Sequence, residues 1–236
     1  SNLLKKRGKT NQGVSMSILK PDLEQKVSAF INQADYPCVG AKTALNKGKI
    51  TVKQYDNFRC DTNDTDILTD IYDFIHRFEL DKDMYSSLVL TFEQPEILSE
   101  IVFDKLMWRK LQQLHDIDTC MHGWDNQVDE NPHSPNFSFS LGGKAFFIIG
   151  LHPGAKRKSR RFERPALVFN LHEQFELLRE QGKFEDLRDH IRQQDEAFCG
   201  SKNTLLQNHG EQSEAYQYSG KQQPKRWQCP FHANQN

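Results

Sequence analysis

"FSFSLGGKAFFIIGLHPGAKRKSRRFERPALVFNL", residues 137–171, contains three apolar segments separated by two kinds of break. "FSFSL" (137–141) alternates aromatic or aliphatic residues with serine, the period-two pattern of a strand. Gly142 and Gly143 follow directly, and "KAFFIIGL" (144–151) resumes the apolar run. Two adjacent glycines admit the positive-φ turn of a tight hairpin, so these strands are expected to pair antiparallel. A basic loop then leads to "PALVFNL" (165–171), a third strand.

Outward from this core, "GKITVKQY" (48–55) and "SSLVLTF" (86–92) read as two further strands. Helical spacing predicts helices in "KPDLEQKVSAFINQA" (20–34), "TDILTDIYDFIHRFEL" (65–80) and "PEILSEIVFDKLMWRKLQQLH" (95–115). Two more follow at 171–180, stopped by Gly182, and at 184–197. Strands interleave with helices, yet the hairpin demands antiparallel pairing. The expected fold is α+β: a mixed, at least partly antiparallel sheet packed with helices. Residues 1–20 are polar and basic and read as a flexible arm, with 21–236 as a single domain. The last 38 residues are polar, with Tyr216, Tyr218, Trp227 and Phe231 as apolar anchors.

The composition narrows the function. A chain of 236 residues with 36% hydrophobic and 27% charged residues can bury a core of its own. The formal net charge of −1 argues against a generally basic nucleic-acid binder. No apolar run approaches the roughly 18 residues of a membrane span, and no secretory signal is visible. The five cysteines are odd in number and show no C-x-x-C spacing. A reducing, cytoplasmic compartment is therefore expected.

The charge concentrates in one place. From Lys156 to Arg164 there are six basic residues and one acid, Glu163. Such a run can be a solvated loop. It can also be an anion clamp, because arginine's planar fork matches carboxylates and phosphates in pairs. Arg157, Arg160 and Arg161 sit at the mouth of an apolar strand, beside His152. Pro153 biases His152 towards an extended backbone. A neutral imidazole there can ligate a metal or be a satisfied structural residue. His115 and His122 flank Cys120 without any H-x-x-x-H or H-E-x-x-H pattern. No G-x-G-x-x-G, Walker loop or G-x-S-x-G elbow occurs. The polar stretch 116–135 is long for a connection, which points to a functional loop or lid.

"YPCVGAK" (36–42) and "CPF" (229–231) mirror each other near the two ends. With "SPNFSFSLGGKAFFIIGLHPGAKRKSRRF", "LVFNLHEQFELLR" and "HGEQSEAYQYSG", they resemble the FPC/CPF-motif family, the YqcI/YcgG-like proteins. The likeness spans roughly 36–231, with Tyr-Pro-Cys in place of Phe-Pro-Cys. Within that family the "GLHP" and its basic run are similar to the haem-dependent guanidine N-hydroxylases. The resemblance implies a haem b monooxygenase that uses O2 and an external electron donor, a reductase or reductant, to N-hydroxylate a small guanidino compound such as arginine. It implies His152 as axial ligand, with Cys229 and then Cys38 as the thiolate alternatives. Arg157, Arg160 and Arg161 would pair with the haem propionates. A guanidinium substrate calls for a carboxylate, Asp125 or Glu214, and an aromatic face, Trp124. A non-catalytic haem sensor and a haem-free small-anion binder are the competing expectations; neither nucleic acid nor membrane is expected as a partner.

Overall fold

The computed structural model describes residues 21–33, 36, 39–81, 85–96, 98–199 and 212–234. The expected arm, residues 1–20, lies outside them, as does Cys38. Helices α1 (Pro21–Ile31) and α2 (Val39–Asn46) precede strand β1 (Ile50–Asn57). Helix α3 (Asp64–Asp81), β2 (Ser87–Gln94) and α4 (Glu100–Asp118) follow. The hairpin is β3 (Phe139–Leu141) and β4 (Lys144–Leu151), then β5 (Ala166–Leu171), α5 (His172–Glu180) and α6 (Phe184–Cys199). Short 3₁₀ turns lie at Lys158–Arg160 and Glu214–Gln217.

The five strands form one sheet in the order β1-β2-β5-β4-β3. β1 and β2 run parallel with α3 between them in sequence, and every other neighbouring pair is antiparallel. The mixed α+β expectation is met. Gly142 and Gly143 take φ of 61° and 74°, so the hairpin turn uses the left-handed region that favours glycine. Helix α2 was not expected; it begins directly after the "YPC" motif.

Strand alternation divides the core in two. Leu88, Leu90, Phe92, Phe146, Ile148, Leu167, Phe169 and Leu171 face the larger layer, which contains α3, α4 and the C-terminal segment. Val52, Val89, Leu151 and Ala166 face the thinner layer under α1. Leu151 points to the thin layer, so the next residue, His152, turns towards the thick one.

Helix α4 is the spine of the thick layer. Ser99 caps its start, accepting the Val102 N–H at 3.3 Å. Phe103, Met107, Trp108, Leu111 and Leu114 are buried along it. Lys110 is buried as well, and its ammonium donates to Asp64 at 2.5 Å and to the Cys60 carbonyl at 2.6 Å. The C-terminal segment crosses this helix: Tyr218 and Phe231 are fully buried and Trp227 partly. A stretch that reads as polar in sequence therefore supplies core side chains at a few anchors.

Candidate functional site

His152 stands at the exit of β4, where the chain leaves the sheet. Its N–H donates to the Arg160 carbonyl at 3.0 Å, which closes the basic loop back on itself. Its ring lies on Phe103, with centroids 4.3 Å apart and planes 16° from parallel. Phe103 can approach β4 because Gly150 has no side chain; a Cβ there would sit 2.5 Å from the Phe103 ring. The Gly150 N–H donates to the Tyr218 carbonyl at 2.7 Å, so the C-terminal segment continues the strand edge.

The His152 side chain is 0% exposed. Neither ring nitrogen has a hydrogen-bond partner within bonding geometry. Burial pushes its pKa down from 6.5 to about 4, and the nearby Arg160 charge pushes the same way; the Leu98 carbonyl offsets only part. The ring is therefore neutral at pH 7, with a lone pair available. That donor chemistry suits an axial iron ligand, but the ring is enclosed and stacked on Phe103, so a haem would reach it only with a movement of the basic loop.

The arginines are arranged differently from the expected clamp. Arg157 pairs with the buried Asp195 of α6 at 2.8 Å, and Ser159 donates to the same carboxylate at 2.9 Å. Arg160 is buried, with its guanidinium donating to the Tyr218 carbonyl at 2.9 Å; burial lowers its pKa to about 10. Arg161 donates to the Ala155 and Lys156 carbonyls, both at 2.9 Å. These three side chains act as internal braces of the loop. A propionate role would require them to exchange those partners.

Cys229 is buried in the thick core, and burial pushes its thiol up to about 12, so it is protonated at neutral pH. Of the proposed substrate residues, Glu214 is buried and accepts the Tyr218 hydroxyl at 2.7 Å and the Ser138 hydroxyl at 3.2 Å. Through Tyr218, whose carbonyl binds Arg160, it is linked to the His152 end. Asp125 has a structural task. Its two oxygens accept the Ala145 N–H at 2.9 Å and the Gln127 N–H at 3.0 Å, which ties its loop to β4.

Trp124 belongs to a second place. A cleft of about 360 Å³ opens at the far end of α4, lined by His115, Asp118, Thr119, His122, Trp124, Glu130 and Asn234, with Gly123. The Asn234 N–H donates to His115 Nε2 at 2.8 Å, which puts the His115 proton on Nδ1. Burial lowers the His115 pKa, while Asp116, Asp118 and Glu130 pull it upward. Asp118 is only 3% exposed, and its Oδ1 accepts Tyr72 O–H at 2.6 Å and Gly142 N–H at 2.9 Å. His122 Nδ1 lies 3.1 Å from that same oxygen. From Phe103 to His115 is twelve residues of α4, about 18 Å along the axis, so the two places are separate.

Asp118 and Glu130 did not stand out in the sequence, and His115 and His122 were noted only for matching no metal motif. The available signal was the spacing H-x-x-D-x-x-x-H, which gathers three polar side chains at a helix end. The expected loop 116–135 begins one turn later, because α4 runs to Asp118; its remainder supplies Thr119, His122, Trp124 and Glu130 to the cleft. Among the described residues no group of three or more His, Cys, Asp or Glu side chains is arranged to hold a metal ion. No helix among them is long and apolar enough to cross a membrane.

The comparisons agree with the resemblance at family level. A protein of Bacillus subtilis (strain 168), "Uncharacterized protein YcgG", is 32% identical over 87 residues, which is 35% of this chain and 34% of that protein. The match thus spans about a third of the relative's length. No solved structure matches the chain. The family model covers residues 27–232, from the first helix through the C-terminal Cys-Pro-Phe motif, and on that match the chain belongs to the YqcI/YcgG family.

Proposed function

We propose that this protein binds haem b through His152 and acts as a monooxygenase that N-hydroxylates a small guanidino compound, with arginine as the first candidate. One observation carries the reading: a fully buried, neutral imidazole that makes no hydrogen bond of normal geometry, with only the Leu98 carbonyl acting on the ring as an acceptor. Leaving such groups unpaired costs roughly 1–3 kcal/mol, so a partner at that position is the economical explanation. Bound at this nitrogen, haem would supply what side chains lack, activation of O2 with electrons from an external donor.

The chain's own residues have definable tasks. Phe103 holds the ring plane, and the Arg160 carbonyl fixes the His152 backbone. The Arg160 charge opposes protonation, which keeps the nitrogen available as a ligand. The dry surroundings exclude water from a reactive centre. Glu214 is the substrate carboxylate favoured by position, since Tyr218 links it to this end. In the net reaction one oxygen atom enters a guanidine N–H bond. The other leaves as water, with two electrons and two protons from the donor.

The test is the visible spectrum of protein expressed with added haem, followed by turnover. The wild type should show a Soret band that His152→Ala loses and Cys229→Ala keeps. Arginine with reductant and O2 should give a hydroxyguanidine by mass spectrometry. A colourless protein after reconstitution, or an unchanged band in His152→Ala, would overturn the ligand assignment. Bound haem with no product from any guanidine would leave a haem-binding protein without turnover.

A further inference from the structure

The cleft at the C-terminal end of α4 has no part in the haem reading. It is about 18 Å along the helix from the ring that stacks on His152. Its volume of about 360 Å³ falls at the low end of small-molecule pockets. Its lining holds two carboxylates, Asp118 and Glu130, beside N–H donors on His115 and Trp124, the Trp124 Nε1 being buried without a partner. Asp118 is buried to 3% exposure, and Oδ1 takes every hydrogen bond the carboxylate receives from the described residues. Oδ2 accepts none of them, although Asp118 lines the cleft. Oδ2 is thus left facing the cleft, and a cationic donor is the natural complement of a carboxylate oxygen so placed.

The neighbours reinforce that sign. Glu130 adds a second carboxylate to the lining. His115 is neutral, and its acceptor nitrogen is already used by Asn234. His122 points Nδ1 at Asp118, and Nε2 remains for the cleft. The Trp124 ring forms an apolar wall, backed by Phe137, Phe139 and Phe231. Acids beside an aromatic wall select organic cations over anions, and over neutral molecules of the same shape. A metal ion is the poorer match, because the His and Asp groups here are not arranged as a ligand set.

We infer that this cleft is a binding site for a small organic cation with N–H donors, an ammonium or amidinium head received by Asp118 Oδ2 with Glu130 alongside. The inference does not rest on the haem reading.

Benzamidine and its neutral isostere benzamide separate charge from shape in isothermal titration calorimetry on the full chain. Benzamidine should bind saturably and benzamide should not. Asp118→Asn keeps an acceptor for Tyr72 and Gly142 but removes the charge; it should weaken benzamidine at least about tenfold. Glu130→Gln, in a surface loop, should weaken it severalfold and serves if Asp118→Asn fails to fold by circular dichroism. His152→Ala should bind benzamidine like the wild type. The assignment fails on any of four outcomes: no saturable cation binding up to about 10 mM, equal binding of benzamide, wild-type affinity in the folded carboxylate variants, or loss of binding in a His152→Ala protein that circular dichroism shows to be folded.

Discussion

At the start of α4, Phe103 lies flat on His152; about three turns later, His115 and Asp118 face an open cleft on the same helix. Both ends hold a buried histidine with a lowered pKa, yet their surroundings differ. His152 is dry, flanked by an arginine, and makes no hydrogen bond of normal geometry, although the Leu98 carbonyl lies close enough to act on it. His115 sits among Asp116, Asp118 and Glu130, and one nitrogen is occupied by a backbone N–H. Burial alone does not determine what a histidine can do. The sign of the neighbouring charge and the presence of a partner decide whether the lone pair is free for a metal or used inside the protein.

The largest effect should come from the packed end. Phe103 is fully buried, touches His152, stacks on Phe58 at 5.6 Å and fills the space over Gly150. Phe103→Ala should cost about 3–5 kcal/mol in urea unfolding, because the rigid strand beneath cannot collapse into the void. A loss below about 2 kcal/mol would mean that this end is loosely packed and that the contrast with the open cleft is weaker than drawn.

The second effect is a pH dependence that separates the two histidines. The folded-state pKa of His152 is about 4 against 6.5 in the unfolded chain, so between those values the unfolded state binds more protons. Its stabilisation is complete above about pH 6.5 and is lost as pH falls towards 4. Between pH 7 and pH 5, chain expressed without added haem should lose about 2 kcal/mol through this group. His152→Leu should remove that increment from the pH difference. The same sign holds for His115, with a smaller loss, since the three acids offset part of its burial. Equal slopes in wild type and His152→Leu would refute the dry environment assigned to His152.

Sequence legibility followed the range of the interactions. All five strands and the Gly-Gly hairpin were visible, because alternation and turn chemistry are local. Helix α2, "VGAKTALN", was not, being only eight residues long with no acidic first turn. His152 stood out through its Pro153 neighbour and basic run. The fate of those arginines was hidden, because Asp195 and the Tyr218 carbonyl lie 38 and 58 residues away from Arg157 and Arg160. The cleft was hidden for the same reason. Helix, loop and C-terminus each bring part of it, and Asn234 reaches His115 across 119 residues.

The smallest effect tests the open end. Tyr72 O–H donates to Asp118 Oδ1 at 2.6 Å, and burial beside that carboxylate raises the phenol pKa, so the hydroxyl stays a donor. Tyr72→Phe removes one donor of three; the Gly142 N–H and His122 remain on the same oxygen. The expected cost is about 1–2 kcal/mol, well under that of Phe103→Ala, because the carboxylate is still served and the ring still packs. Oδ2 is untouched, so benzamidine affinity should stay within about threefold of the wild type. A destabilisation equal to that of Phe103→Ala would reverse the ranking of the two ends and make Asp118 chiefly a structural anchor. A collapse of cation binding in this variant would mean that Tyr72, through Asp118, sets the geometry of the cleft.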